Sequence, residues 1–428
     1  MKTENAAAVR PPSWRAAGTA ALLAGGLLLG QAMQAEAQGV VTVTQMVVSN
    51  CVMEATCEWK VSCRAGNGPE TQLADNWKAT VGTMMDVGKT LDLPAVPATL
   101  SCKLEEDDGW FGTTWEDAGS ATLELQGGGD FEFNVGNEEE GQVILKLRVA
   151  TIEVHEPAPA APAATTATGR AASRTAAAAP AKARLYVGTF APKESGHAAV
   201  IGLPWEQFKA RADALAATGT KPVWMGSYEE GGTRYWSGIF HYYDGDYQIV
   251  HGLEWEPFFA KWKQLTNREG QRLTDFEMYN EKGKVLCTGL YELGSDKHNL
   301  RIGLARDEFV NEVNRMSARG LRLVDVEVYS MQGRTLYAGA FREMEGGYAL
   351  AAGLAWDPFM ERYKKVSGEG NSFMDLETYV EGGRRLWDGS ITGLSGQITE
   401  PLDAKAFAAR WKEMAAKGLH LVSVETYR

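Results

Sequence analysis

The 428-residue sequence lacks the short motifs that mark the common classes of enzyme. It contains no Gly-x-Ser-x-Gly, His-Glu-x-x-His or Cys-x-x-Cys motif and no phosphate-binding loop. Its six histidines are scattered at positions 155, 197, 241, 251, 298 and 420 without the spacing of metal ligands, so we expect ordinary surface or loop residues. These absences disfavour the enzyme classes that such motifs define.

Basic residues are also too few for a protein that binds nucleic acid. There are 43 Lys and Arg against 55 Asp and Glu, which is a formal net charge of −12. Residues 38–155 carry 19 acidic and 7 basic residues, so this segment accounts for the whole negative charge. Such a surface repels nucleic acid and anionic membranes and attracts cations.

Long apolar runs are confined to the N-terminus. Arg10 and Arg15 precede an Ala-, Leu- and Gly-rich run, and Ala35-Glu36-Ala37 offers small residues at the positions that a signal peptidase reads. We therefore predict a signal peptide over residues 1–37, a secreted or periplasmic protein, and no transmembrane span after its removal. An uncleaved membrane anchor is the alternative.

Cysteine is scarce, and four of the five residues cluster at Cys51, Cys57, Cys63 and Cys102. In an exported protein these four predict two disulfide bonds, with three pairings open. Cys287 occupies a position where related segments of the chain have Trp or Tyr. We therefore expect it to be a buried apolar side chain rather than a reactive thiol.

The segment after the predicted signal peptide has the pattern of β-strands. Residues 41–48, 121–125 and 143–149 alternate apolar and polar side chains, and Gly-rich breaks separate such runs. This predicts an all-β sandwich over residues 38–155. Residues 156–183 are rich in Ala, Pro and Thr with few large apolar groups, which predicts a linker.

The rest of the chain is repetitive. Glycine recurs at positions 188, 238, 289, 339 and 389, spaced by 50, 51, 50 and 50 residues, and each glycine lies within the same short phrase of large apolar residues. A fixed period of this length is the mark of a repeat architecture. Five units therefore account for residues 184–428.

Each unit combines a helix with two strands. Apolar residues recur at i, i+4 and i+7, as in Phe258, Trp262 and Leu265, and a strand ending on Tyr, a turn and a second strand follow. We predict an α+β repeat of five αββ units. The fifth unit lacks its second strand, and residues 185–190 supply a spare one; pairing them with residues 421–427 would close the units into a pseudo-fivefold ring.

The first strands of the middle units carry carboxylates on one face. Asp275 and Glu277 recur as Asp and Glu at 325 and 327 and at 375 and 377. The helix covers the apolar face, so the acids point to the axis or to one mouth of the ring. Glu277, Glu327 and Glu377 then either bind a cationic or basic ligand or form a structural ladder paired with arginines.

Unit 1 departs from this pattern. Trp224 and Gly226 stand where the middle units have Asp and Glu, and Tyr228 keeps the Tyr. We expect the glycine to open space that Trp224, Tyr228 and Trp236 would border with aromatic surface. Such a surface suits a peptide or a glycan. The alternative is that these side chains fill the core.

An acidic loop is the candidate metal site. Asp107, Asp108, Glu116 and Asp117 offer the oxygen ligands that Ca2+ prefers, and a solvated acidic hairpin is the alternative. Residues 104–125 resemble the late loop of C2-type sandwiches, in which an Asp-rich stretch precedes a strand.

The repeat phrase resembles the tandem-repeat module that precedes the serine-hydrolase domain of bacterial polyglycine hydrolases. The matching features over residues 184–428 are a Trp-x-x-Phe helix start and the runs at residues 320–329 and 333–341. The resemblance implies a scaffold that aids substrate recognition. It carries over no catalytic residue, because the hydrolase part uses a Ser-x-x-Lys nucleophile that this sequence does not contain.

These patterns favour a secreted, non-enzymatic protein that binds an extracellular or cell-surface peptide or glycan through its repeats. Two alternatives stay open. One is a hydrolase whose active site is built from the ring carboxylates, and the other is a structural component of the cell envelope.

Overall fold

A computed structural model describes residues 34–51, 57–107, 115–137, 141–157, 183–193, 195–345, 348–368, 372–392 and 395–428. The predicted signal peptide lies outside these residues except for its last four positions. The predicted linker lies outside them except for positions 156, 157 and 183. Within the described part of the chain, no helix is long and apolar enough to cross a membrane.

The N-terminal region is a β-sandwich, as the alternating pattern predicts. Its strands are β1 (Gln34–Cys51), β2 (Cys57–Ala65), β3 (Thr71–Ala79), β4 (Met84–Leu93), β5 (Ala98–Asp107), β6 (Trp115–Leu125), β7 (Gly129–Asn137) and β8 (Gly141–Glu156). One sheet has the order β4-β1-β8-β7 and the other β3-β2-β5-β6. Trp59, Val61, Leu104 and Val143 are fully buried, and they belong to one apolar core that both sheets share.

Both predicted disulfide bonds are present, and the structure selects the pairing. Cys51 bonds to Cys57, and Cys63 bonds to Cys102, which lies opposite it on β5. Cys287 is a free thiol with no exposed surface, and burial raises its pKa to about 12. The prediction that Cys287 is an inert apolar residue is therefore confirmed.

The repeat region begins with β9 (Leu185–Pro192), and five similar units follow. Their elements are β10 (His197–Pro204), α1 (Trp205–Ala216), β11 (Thr220–Glu230) and β12 (Thr233–Tyr242); β13 (Tyr247–Glu254), α2 (Trp255–Arg268), β14 (Gln271–Glu281) and β15 (Lys284–Leu293); β16 (His298–Leu304), α3 (Arg306–Ser317), β17 (Leu321–Met331) and β18 (Arg334–Glu343); β19 (Tyr348–Leu354), α4 (Trp356–Ser367), β20 (Ser372–Glu381) and β21 (Arg384–Thr392); and β22 (Gln397–Ile398), α5 (Ala404–Ala416) and β23 (Leu419–Tyr427).

Each unit contains one strand more than the predicted αββ. The extra strand precedes the helix, and in units 1 to 4 it pairs with the second strand of its unit, so unit 2 has the sheet order β13-β15-β14. In unit 5 the extra strand β22 pairs with β9. In units 1 to 4 the pattern of this strand is interrupted near its end by a glycine with positive φ, such as Gly252 at +67° and Gly303 at +76°. The register shifts there, and the helix starts three residues later. The alternating run is therefore too short to be recognised as a strand in the sequence.

The predicted helices cover the apolar faces of these sheets. Phe258 and Leu265 of α2 are fully buried. The side chains of Phe309, Val313 and Met316 of α3 are at most 1% exposed. These residues share one helix face at the i, i+4 and i+7 spacing that the sequence shows. The helical prediction is confirmed in all five units.

The two ends of the repeat region meet as predicted. Strand β9 pairs antiparallel with β23, with Leu185 opposite Tyr427 and Phe190 opposite Leu421. The short β22 pairs with the other side of β9. The described strands of the five units nevertheless form separate sheets rather than one continuous closed sheet.

The sandwich and the first repeat unit share a sheet, which the sequence did not predict. Strand β8 continues beyond the sandwich, and its second half pairs in parallel with β10, placing His197 opposite Ala150. Ile152 and Val154 of this half join Tyr186 and Trp411 of the repeat region in one core. The two regions are thus held together by a common sheet and common apolar contacts.

Candidate functional site

The aspartates predicted at the axis connect neighbouring repeat units through hydrogen bonds to the backbone. Asp275 accepts from the N–H of Met225 at 2.8 Å, and Asp325 accepts from the N–H of Phe276 at 2.6 Å. Asp375 accepts from the N–H of Val326 at 3.0 Å. Each aspartate therefore provides a hydrogen-bond acceptor for a backbone N–H on the first strand of the preceding unit, because no described strand of a neighbouring sheet pairs with that N–H.

The glutamates form a second layer with the same geometry. Glu277 accepts from the N–H of Ser227 at 3.1 Å and from its hydroxyl at 2.7 Å. Glu327 accepts from the N–H of Met278 at 2.8 Å. Their main partners are backbone and hydroxyl donors, whereas the predicted ladder paired the carboxylates with arginines. Arg234 is linked to this layer through Ser227. It donates to the Ser227 hydroxyl at 2.6 Å, and that hydroxyl donates to Glu277.

Burial favours the protonated form of these acids. Desolvation raises the pKa of Glu277 to about 7, and it raises the pKa of Asp375 to about 6. Desolvation and repulsion between carboxylates raise the pKa of Asp325, Glu327 and Glu377 well above the usual range. A buried carboxyl that bonds a neighbouring strand is a structural connector, and its location leaves little room for a ligand.

Trp224 occupies the space that Gly226 was expected to leave open. A Cβ placed at Gly226 would lie 2.5 Å from the Cη2 atom of the Trp224 ring. The indole N–H of Trp224 donates to Asp375 of unit 4 at 3.4 Å, and only 7% of Trp224 is exposed. The glycine therefore accommodates a tryptophan of its own strand and leaves no cavity for a ligand.

The other two predicted aromatic residues are also packed inside. Tyr228 stacks on Tyr235 with ring centroids 5.4 Å apart, and the Arg184 guanidinium lies 3.5 Å from the Tyr228 ring centre. Trp236 is 1% exposed and makes edge contacts with Trp205 and other rings. These aromatics form a core and present no open surface, which corrects the expectation of a binding patch at unit 1.

Most of the predicted calcium loop falls outside the described residues. Asp108 is among the residues that are not described, and of Asp107 and Glu116 only the positions in β5 and β6 are defined. Asp117 is exposed and accepts a hydrogen bond from the N–H of Gly119 at 3.0 Å. The assignment of Ca2+ to this loop stays a prediction.

Unit 3 differs from its neighbours at the start of its helix. Trp205, Trp255 and Trp356 precede a buried Phe by three residues, but Arg306 holds this position before Phe309. Trp356 packs within its own unit against Trp387, with ring centroids 4.9 Å apart and ring planes tilted by 58°. An arginine at this place puts a charged, hydrogen-bonding group where other units have an apolar ring.

Arg306 reaches across to unit 4. Its Nε donates to the hydroxyl of Tyr337 at 3.0 Å, and its Nη2 donates to the hydroxyl of Tyr379 at 3.0 Å and to Glu381 at 2.5 Å. The side chains of Arg306 and Glu381 are 34% and 41% exposed, so both reach the surface. Asp388 lies beneath them with no exposed surface, and burial raises its pKa to about 7.

A cleft of about 440 Å3 runs between α3 and unit 4. Val310 and Asn314 line it on the α3 side, one and two turns beyond Arg306, and Arg362 lines it from α4. The opposite wall is β19, an edge strand that pairs only with β21 among the described strands. The sequence shows the signal for this site, because the Trp-x-x-Phe phrase is broken only in units 3 and 5.

Three histidines expected to be ordinary surface or loop residues are buried together. His197, His241 and His420 are 1%, 6% and 2% exposed. They lie on β10, β12 and β23, so the pairing of the chain ends brings them together from distant positions in the sequence. Sequence spacing could not reveal this cluster.

The family described as "Polyglycine hydrolase-like, structural repeat" matches residues 195–243, 299–344 and 401–428. These segments cover most of units 1 and 3 and the helix and last strand of unit 5, which confirms the resemblance of the repeat region to this repeat. A search of curated proteins finds no match.

Solved structures that resemble parts of the chain do so at low identity. They include a protein from work on CC2D1B in nuclear-envelope reformation (9% identity, TM-score 0.21, covering 26% of this chain and 55% of that one). A C2 domain of plant Extended Synaptotagmin 1 shows 10% identity and a TM-score of 0.21, covering 29% of this chain and 98% of that one. Human GIVD cytosolic phospholipase A2 shows 11% identity and a TM-score of 0.20, covering 79% of this chain and 38% of the enzyme. The chain thus spans about half of the first protein and less of the phospholipase.

Proposed function

We propose that this is an exported, non-enzymatic recognition protein whose five repeat units close into a ring and bind a glycine-rich peptide between units 3 and 4. The observation that carries the proposal is the cleft beside β19, where Arg306 breaks the repeat pattern. The two disulfide bonds support an oxidising, extracellular location.

Contacts between the units support ring closure. The first strands touch in cyclic order: β11 contacts β14, β14 contacts β17, β17 contacts β20, β20 contacts β23, and β23 contacts β11. The axial carboxylates bond successive units in the same order, and β9 pairs with β23 at the junction. Closure would then depend on side-chain packing and carboxylate bridges, without a continuous sheet.

The edge strand β19 suits an extended peptide. A peptide can add to the free edge of a sheet through main-chain hydrogen bonds, with little demand on its side chains. Ala349 and Ala352 line the cleft with small side chains, so a second backbone can approach the strand there. At the end of the strand the side chain of Arg306 packs against Gly353. The cleft leaves space beside the strand for such a segment.

Polar groups at one end of the cleft suit the backbone of a peptide that has few side chains. A glycine-rich chain is recognised mainly through its amides. The guanidinium of Arg306 can donate to a peptide carbonyl or a C-terminal carboxylate, and the exposed Glu381 carboxylate can accept from a peptide N–H. The matched repeat family is described as polyglycine hydrolase-like, which also favours a glycine-rich ligand.

The test is a binding measurement with an oligoglycine peptide and the protein that remains after signal removal. Calorimetric titration should show binding that is at least tenfold weaker in Arg306→Leu and in Ala352→Phe, which fills the cleft. Arg315→Leu is the matched control, because Arg315 lies on the same helix, is 61% exposed and bonds only to Glu312 among its recorded partners.

Equal affinity in the wild type and both cleft variants would contradict the peptide site. If a glycan array gave the only binding that depends on Arg306, a glycan would replace the peptide as ligand. If neither ligand class bound, the structural envelope role would be favoured.

The rival function is hydrolysis by the axial carboxylates. In the structure these acids are engaged by backbone donors of the neighbouring unit, which supports a connecting role. Mass spectrometry of the peptide after incubation with the protein should show no cleavage. Cleavage that disappears in Glu327→Gln would favour the hydrolase.

A further inference from the structure

The buried histidines form a compact cluster where unit 5 meets unit 1. The ring of His197 lies 3.9 Å from that of His420 between centroids, and the His241 and His420 centroids are 5.6 Å apart. The indole of Trp411, on α5, lies 5.4 Å from His197 and closes one side. Strand β8 of the sandwich pairs with β10 at His197, so the cluster lies where three parts of the chain join.

The nitrogens of this cluster are largely without partners. Neither ring nitrogen of His197 has a hydrogen-bond partner, nor does the Nδ1 atom of His420. The hydroxyl of Ser195, two residues before His197, is also buried and unpaired. Buried polar atoms of native proteins normally have a partner, so a group of unpaired atoms in one place indicates a missing ligand.

The corresponding junction between units 2 and 3 holds different side chains at these positions. Arg272 and Arg342 there occupy the register positions of His420 and His241. Arg342 donates to the carboxylate of Asp296, which corresponds to Ser195, and Arg272 donates to the backbone carbonyl of Asp296. Relative to that junction, the closing junction has two imidazoles and a hydroxyl in place of two arginines and an aspartate, and its third imidazole, His197, corresponds to His298. A structural role alone does not require this change, because a charged network connects the equivalent junction between units 2 and 3.

We propose that His197, His241 and His420 bind a divalent transition-metal ion of the zinc class. Imidazole nitrogens are preferred ligands of Zn2+, Co2+, Ni2+ and Cu2+, and such ligands must be neutral. Three histidines leave a fourth position for water or another ligand.

Metal binding requires two local changes. The three rings do not bring one nitrogen each within 4.8 Å of one another, so at least one ring must rotate about its side-chain bonds. The ammonium of Lys193 contacts the Nδ1 atom of His241 at 2.5 Å and must leave when the ion enters. Lys193 has an exposed surface and can turn to solvent. Its ammonium therefore marks a cation position and competes with the metal.

The experiment titrates Co2+ into chelator-treated protein and records the visible absorption of the bound ion. We expect a saturable band for the wild type, and affinity at least tenfold lower in His197→Gln and His420→Gln. His298→Gln is the matched control, because it occupies the same strand position as His197 at the charged junction. Lys193→Gln should bind Co2+ several-fold more tightly, because a competing cation is removed.

A thermal melt keeps the test independent of folding defects. Zn2+ should raise the melting temperature of the wild type by mass action, and it should not raise that of a folded His420→Gln variant. The proposal is overturned if the wild type gives no Co2+ band, or if the band survives equally in both cluster variants. It is also overturned if only His298→Gln loses the band.

Discussion

Replacement of Glu277 by Gln should change the pH dependence of stability. Glu277 is buried at the axis, and desolvation raises its pKa to about 7 from an ordinary 4.5. The folded protein therefore holds a proton that the unfolded chain releases between pH 4.5 and 7, so this group lowers stability as pH rises through that window. At 1.36 kcal/mol per pKa unit, the wild type loses at most roughly 3 kcal/mol by pH 8.

The Gln variant should escape this loss, because its amide cannot ionise and its oxygen can still accept from Ser227. We expect the free energies of unfolding of the two proteins to agree within about 1 kcal/mol at pH 4.5. At pH 8 the variant should be more stable by up to roughly 3 kcal/mol. Guanidinium unfolding followed by tryptophan fluorescence at several pH values gives both free energies, and their difference cancels most other titrating groups.

The matched control is Glu281→Gln, on the same strand at its exposed end, where the glutamate side chain is 42% exposed. This control should leave the pH profile unchanged. The reasoning is refuted if Glu277→Gln alters stability equally at pH 4.5 and pH 8, because the carboxylate would then be ionised in the folded state across the whole range.

Three further predictions follow from packing and charge. Deleting residues 184–191 removes β9 from β22 and β23, so we expect a loss on the order of several kcal/mol, seen as a lower melting temperature; an unchanged melt would exclude the closing pair. Trp236→Ala should cost roughly 3–5 kcal/mol by denaturant unfolding, because Trp236 is 1% exposed; a loss near zero would place it outside the core. His420→Gln should flatten the loss of stability below pH 6.5, since the unfolded chain takes up a proton that buried His420 resists; an unaltered acid limb in urea unfolding would exclude this role.

Periodicity made much of the repeat fold predictable. The helices, the carboxylate face of the first strands and the pairing of residues 185–190 with residues 421–427 follow from patterns that recur every 50 residues. The extra strand of each unit was not predictable, because a positive-φ glycine such as Gly303 and an immediately following helix leave too short an alternating run. Gly226 was misread for a related reason, since a missing side chain in sequence does not show which neighbour fills the space.

The candidate peptide cleft is partly visible in the sequence. Arg306 stands where three other units have Trp, and this departure from the repeat marks the unit that carries the cleft. Its partners Tyr337, Tyr379 and Glu381 could not be assigned in advance, because they come from two units whose relative placement depends on how neighbouring sheets pack.

The sequence by itself determined the repeat and the strand and helix positions that alternation or helical periodicity marks. It also determined the number of disulfide bonds, because these features depend on local spacing and composition. Tertiary structure alone decided that β8 joins β10, that carboxylates bond the backbone of the preceding unit, and that three histidines share one buried place. His197 and His420 are 223 positions apart in the sequence, and only the pairing of β9 with β23 brings the two chain ends together. The phase of the repeat predicts that pairing, but it does not show which side chains of different units meet, because these contacts arise when separate apolar faces pack and polar groups find partners.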